Sequence, residues 1–198
     1  MTDISFFHSG NNAALIVKVA ELGYIKPDDS VLDATVGVGT WWNLYHPEFL
    51  ITNDLDPNVD ANFHKDFIAF PDTWRDGWDV VCYDPPYKLN GTGGPSDARY
   101  GCEDKVTVED RKSLIYQGFR SCSRVVKPGG YLLVKVQDQV AGGKVHWLTQ
   151  DIHDNAWMVG LTLVERFDMP PARPQPAGRR QLHARRGSTL LIFQRKVK

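Results

Sequence analysis

Cysteine is scarce in this chain: Cys82, Cys102 and Cys122 are the three among 198 residues, and no pair is spaced Cys-x-x-Cys. An odd, widely spaced set excludes a disulfide framework and a thiolate zinc cluster, and it fits a reducing cytoplasm. No run of about 18 apolar residues is present to span a bilayer, and no basic-then-apolar leader opens the chain. Neither a membrane anchor nor a secretory signal is therefore expected. Internal repeats are absent. So is the third glycine of a dinucleotide-binding turn, because Trp42 stands where it would follow Gly37 and Gly39. Acidic residues are missing from position 171 onward, where Arg173, Arg179, Arg180, Arg185, Arg186, Arg195, Lys196 and Lys198 contribute eight positive charges. With a net charge of −1 overall, residues 1–170 carry −9.

What is present suits one globular domain over residues 1–198, with 42% hydrophobic and 24% charged residues and length enough for a sizeable core. The pattern predicts helix 12–22, strand 30–35, a short helix 40–45, strand 49–54, strand 66–69 and strand 78–83. A long loop 87–106 follows, then helix 107–124, strand 130–136, helix 143–157, strand 160–166, loop 167–187 and strand 188–195. Alternating strands and helices predict a doubly wound, Rossmann-like α/β sheet of seven strands. The last two strands lack room for a helix between them, so the final strand is expected antiparallel.

Asp84-Pro85-Pro86-Tyr87 is the most informative segment. It follows the apolar run Asp79–Tyr83, and an acid with two prolines cannot continue a central strand. The tetrad is therefore expected in the loop at the strand's C-terminal end, where open α/β sheets bind ligands. Its residue types suit methylation of an exocyclic amino group on a base. That nitrogen is a poor nucleophile, because its lone pair is spread into the ring. A carboxylate from Asp84 and the Pro85 carbonyl, both accepting from the NH2 group, favour a pyramidal nitrogen with a localised lone pair. Tyr87 offers a flat face for stacking, worth roughly 1–3 kcal/mol per base.

Upstream, Val31 and Leu32 begin a strand, Gly37 and Gly39 permit a tight turn, and Thr40 is a candidate N-cap. Asp33, four residues before the first glycine, suits a cationic ligand better than a pyrophosphate. Asp54, at the end of the second strand, is placed to accept from both ribose hydroxyls of a nucleoside cofactor, with Asp56 as the second candidate. The basic, proline-bearing loop before the last strand is expected to track a phosphate backbone, using Arg179, Arg180, His183, Arg185 and Arg186. The glycine-rich stretch after the tetrad reads as a flap over the substrate, with Asn90, Arg99 and Tyr100 as contacts.

Together these segments resemble class I S-adenosylmethionine-dependent amino-methyltransferases of nucleic acids, the N6-adenine and N4-cytosine group with an Asp-Pro-Pro-Tyr motif. The Gly-Thr-Trp-Trp turn, Lys127-Pro128-Gly129-Gly130, Gln137-Asp138 and the late Gln-x-His-Ala-Arg-Arg are similar to small methyltransferases of actinobacteria and their phages. The resemblance implies S-adenosylmethionine as cofactor and no metal. It implies that Asp33, Thr35, Gly37 and Gly39 hold the methionine end, that Asp66 lies near the adenine, and that His8 and Asn11 close over the cofactor. Aspartate at the first tetrad position leans toward adenine N6 in DNA. RNA (adenine N6 or guanine N2) and cytosine N4 in DNA remain alternatives, as do an inactive nucleic-acid-binding module and a protein glutamine methyltransferase. No separate target-recognition region is present, which points to low sequence specificity, a protein partner or homodimer, or an RNA recognised by shape.

Overall fold

The computed structural model describes residues 6–86, 88–89, 107–171, 183–184 and 186–197. Eight strands and three α-helices occur among them. Helix α1 is Asn12–Glu21, β1 Ser30–Asp33, β2 Phe49–Thr52 and β3 Trp78–Tyr83. They are followed by α2 Val108–Val125, β4 Val126–Gln137, β5 Gln139–Ala141, β6 Lys144–His146, α3 Leu148–Ala156, β7 Leu161–Asp168 and β8 Ser188–Arg195. Six strands form one sheet in the order β2-β1-β3-β4-β8-β7, with β5 and β6 a separate pair. Strands β2, β1, β3 and β4 are parallel, and β8 runs antiparallel between β4 and β7. The C-terminal ends of β1, β3, β4 and β7 and the start of β8 consequently share one rim.

Local sequence accounts for the helices. Asn11 caps α1 by accepting from the Ala14 amide at 2.9 Å, and Gly23 follows the helix at φ 83°. A capping box between Thr107 and Asp110 starts α2, whose Ile115, Phe119 and Cys122 recur on one buried stripe. Helix α1 and the turn carrying Trp41 and Trp42 cover one face of the sheet against Val31, Val80, Cys82 and Leu133. The other face, with Leu32, Val81, Tyr83 and Leu132, is covered by α2, α3 and Phe67. At Gly118 the helix comes so near the sheet that an added Cβ would lie 2.1 Å from Tyr83 Oη.

Four expectations are corrected in detail. Residues 66–69 are not a strand, so among the described residues the sheet has six strands in place of seven. Asp66 caps a 3-10 turn over Phe67–Ala69, and Phe67 and Phe70 both turn inward at the spacing of one such turn. The helix expected over 40–45 shrinks to a 3-10 turn, Thr40–Trp42, with Gly39 and not Thr40 at its N-cap. The helix expected from 143 begins at Leu148, because Gly142 and Gly143, at φ 57° and 74°, turn the β5–β6 hairpin first. Strand β4 starts at Val126, four residues early, and a bulge opposite Trp78–Val80 absorbs the Lys-Pro-Gly-Gly segment. Among the described residues no helix is long and apolar enough to cross a membrane.

Candidate active site

The rim over β1 and β3 is organised by Asn53, a fully buried side chain just past β2. Its amide nitrogen donates to the Ala34 and Lys65 carbonyls, both at 3.0 Å, and its oxygen accepts from the Lys65 amide at 2.8 Å. With the Val36 amide bonded to the Asn53 carbonyl at 3.0 Å, the turn after β1 is fixed against β2. Gly37 and Gly39 hold φ 54° and 69°, and no neighbour would meet a Cβ at Gly37 within 4 Å. The loop thus leaves open space beside its own backbone, which is what a ligand approaching the main chain needs.

Asp33 ends β1 inside this frame. Its carboxylate accepts from the Trp42 indole N–H at 2.7 Å and from the Thr35 amide at 3.1 Å. Burial outweighs these bonds and pushes the carboxyl up to about 7, with the Asp84 and Asp54 charges adding to the rise. Asp54 accepts from the Gly37 amide at 2.9 Å and from the Asp56 amide at 3.0 Å, so it braces the glycine loop directly. Asp56 caps its own turn by accepting from the Asn58 backbone and side chain.

Asp84 emerges at the end of β3, as expected, and its backbone N–H donates to Thr35 Oγ1 at 2.9 Å. Thr35 therefore couples the glycine loop to the tetrad. Lys135, on the neighbouring β4, places its ammonium 3.2 Å from Asp84 Oδ2; the two side chains retain 8% and 24% of their exposure. Burial raises the Asp84 carboxyl above its ordinary range, while the Lys135 charge and hydrogen bonds from Lys135 and Trp41 oppose that rise. Adjacent tryptophans thus serve adjacent carboxylates, Trp42 on Asp33 and Trp41 on Asp84. Asp33, Asp54 and Asp84 thus converge on the ends of β1, β2 and β3, with Lys135 paired to Asp84. No group of three His, Cys, Asp or Glu side chains among the described residues is placed to hold a metal.

The sequence candidates divide by location. Asp33, Thr35, Gly37, Gly39, Asp54, Asp84, buried Pro85 and half-buried Pro86 gather at this rim. Asp66 directly follows Lys65, which Asn53 bonds, and its carboxylate accepts from the Ile68 amide at 3.1 Å. His8 donates its backbone N–H to the Asp168 carbonyl at 2.8 Å, on the β7 side, with β8, β4 and β3 between it and β1. The Asn11 side chain is occupied as the α1 cap. His183 and Arg186 reach the same rim near β5 and β6. Tyr87, Asn90, Arg99, Tyr100, Arg179, Arg180 and Arg185 lie outside the described residues. Lys135, Trp41, Trp42 and Asn53 were not among the candidates. A lysine inside the apolar run Leu132–Val136 was the one available signal, since a buried amine requires a partner.

No protein-family model matches the chain, and no curated protein matches it either. Several solved structures match its fold over most of both chains. The N-methyltransferase NodS from Bradyrhizobium japonicum aligns over 100% of both chains at 14% identity and a TM-score of 0.55. A TehB-like S-adenosylmethionine-dependent methyltransferase from Corynebacterium glutamicum covers 93% of this chain and 88% of its own, at 18% identity and a TM-score of 0.54. The [4+2]-cyclase SpnF covers 99% and 86%, at 13% identity and a TM-score of 0.57. The architecture is the class I methyltransferase fold. A cyclase among the matches makes plain that the fold alone does not fix the chemistry.

Proposed function

We propose that this chain transfers the methyl group of S-adenosylmethionine to the exocyclic amino nitrogen of a nucleic-acid base, adenine N6 in DNA foremost. The observation that supports the reading is the Thr35–Asp84 bond, which ties the start of the Asp-Pro-Pro segment to the glycine turn. The NodS and TehB-like matches, one described as an N-methyltransferase and the other as S-adenosylmethionine-dependent, agree with the donor.

When bound, the cofactor supplies a methyl group already activated on a sulfonium. The residues of the chain do the rest. Gly37 and Gly39 leave room along the main chain, and Asp33 and Asp54 meet the cofactor's positive charge and its ribose. Asp84, held by Lys135 and Trp41, accepts a hydrogen bond from the target NH2 group, and the Pro85 carbonyl accepts the second. Most of the acceleration then comes from alignment of that nitrogen with the methyl group. The proton released afterwards leaves to water, directly or by way of Asp84. A base held in a duplex must leave its stack to reach Asp84.

Incubation with isotope-labelled S-adenosylmethionine and, separately, duplex DNA, single-stranded DNA, total RNA and a small-amine mixture tests the reading, with nucleoside mass spectrometry as readout. N6-methyladenine in a DNA pool is the expected result. Label confined to RNA selects the alternative polymer. Label only in small amines rejects a nucleic-acid substrate.

A further inference from the structure

The β5–β6 hairpin stands between β4 and α3, outside the six-stranded sheet. A two-stranded ribbon is marginal in water unless something holds it. Here Ala141, the last residue of β5, is buried, and His183 and Arg186 contact the hairpin and its flanks. The His183 ring N–H donates to the Gly143 carbonyl at 3.0 Å. The Arg186 guanidinium lies 4.6 Å from the Trp147 ring centroid, and Gln137 donates its amide N–H to the Arg186 carbonyl at 2.6 Å.

Position and charge both distinguish this surface. The hairpin leaves the rim two residues after β4 ends at Gln137, and β4 also carries Lys135, the partner of Asp84. From Gln139 through Trp147 the sequence has no acid, and it has none from position 171 onward. Lys144 is exposed at the turn, and Trp147 keeps 48% of its exposure although Arg186 stacks on it. A cationic edge beside an open indole on the catalytic rim is the combination that single-stranded nucleic acid uses: phosphates on the cations, a base on the ring.

We infer that the β5–β6 hairpin, joined by His183 and Arg186, is the docking surface for the substrate strand, with Trp147 as a base-stacking platform and Lys144 and Arg186 as phosphate contacts. The inference rests on the nucleic-acid reading above and gives it a location. It also gives a chain without a separate recognition region a surface that does the same work on a small scale.

The test is fluorescence anisotropy of the full chain with a labelled mixed-sequence single-stranded DNA 20-mer and its RNA counterpart. The variants are Trp147→Ala, Lys144→Glu and, as control, Trp157→Ala, a tryptophan 70% exposed on the opposite rim. Trp147→Ala is expected to weaken binding about 10- to 100-fold, the effect of one lost base stack. Lys144→Glu should lower the slope of log affinity against log salt by about one, and Trp157→Ala should bind as the wild type does. Lys144 lies on an exposed turn, so its variant stays informative if Trp147→Ala fails to fold. Wild-type binding with Lys144→Glu and Trp147→Ala unchanged would overturn the inference and leave the nucleic-acid reading standing. A wild-type chain that binds S-adenosylmethionine but neither polymer would overturn both.

Discussion

Replacing Lys135 with methionine keeps the length of the side chain and deletes the ammonium that pairs with Asp84. At 3.2 Å two unit charges attract by about 5 kcal/mol when the effective dielectric constant is about 20. Asp84 keeps 24% of its side-chain exposure, so water screens part of this, and roughly 2–3 kcal/mol is a fair figure for what the pair retains. Each 1.4 kcal/mol is a factor of ten, so the balance between protonated and ionised Asp84 moves roughly a hundredfold toward the acid. The sign follows from the opposing influences. Burial already raises the Asp84 carboxyl, Lys135 pulls it down, and without Lys135 burial acts with less opposition. A protonated Asp84 turns an O–H toward the amine that it is meant to accept from. The acid limb of kcat against pH should therefore move to higher pH in Lys135→Met, with the loss of rate greatest on the acid side and recovering as pH rises. Lys135→Arg should restore most of the wild-type profile. A rate lowered equally at every pH, with the limb unmoved, would refute the electrostatic role and leave Lys135 as packing alone.

Three further outcomes are expected. Asp84→Ala should abolish transfer while calorimetry still detects cofactor binding; loss of that binding would show that Asp84 serves the donor side instead. Asp33 holds its proton more tightly folded than unfolded, since its carboxyl stands at about 7 against 3.8. Stability from this group is full below about pH 4 and is lost as pH rises to about 7, a change on the order of 4 kcal/mol. Urea midpoints from pH 4.5 to 8 should thus fall in the wild type relative to Asp33→Asn, and parallel curves would contradict the assignment. Gly118→Ala should lower Tm by about 3–10 °C, because its Cβ would lie 2.1 Å from Tyr83 Oη and 2.6 Å from Phe67. An unchanged Tm would mean that α2 shifts freely.

Sequence pattern was most informative where one residue type has one physical use. Gly37 and Gly39 adopt positive φ, and the prolines after Asp84 end β3 where the apolar run stops. It failed where tertiary contacts decide. Phe67–Ala69 is apolar enough for a strand, but Phe67 packs against Tyr83 at a centroid distance of 5.5 Å, and the turn that permits this removes the seventh strand. Gly142-Gly143 between two short β-prone runs is a hairpin signal, and the helical pattern that follows obscured it. Lys135 was hidden by its apolar neighbours, because a pattern of burial says nothing about what lies across the adjacent strand. Trp41 and Trp42, both buried, carry a second task through their N–H groups that no sequence pattern points to.

That pairing of indoles with carboxylates has an optical consequence. Two of the chain's six tryptophans stand within hydrogen-bonding contact of Asp33 and Asp84. Indole emission responds to charge at this range, so gain or loss of a proton at either carboxylate, or arrival of a cation between them, changes the light the protein gives off. The molecule carries its own dye at the place where a ligand would settle, and a titration followed by emission needs no label.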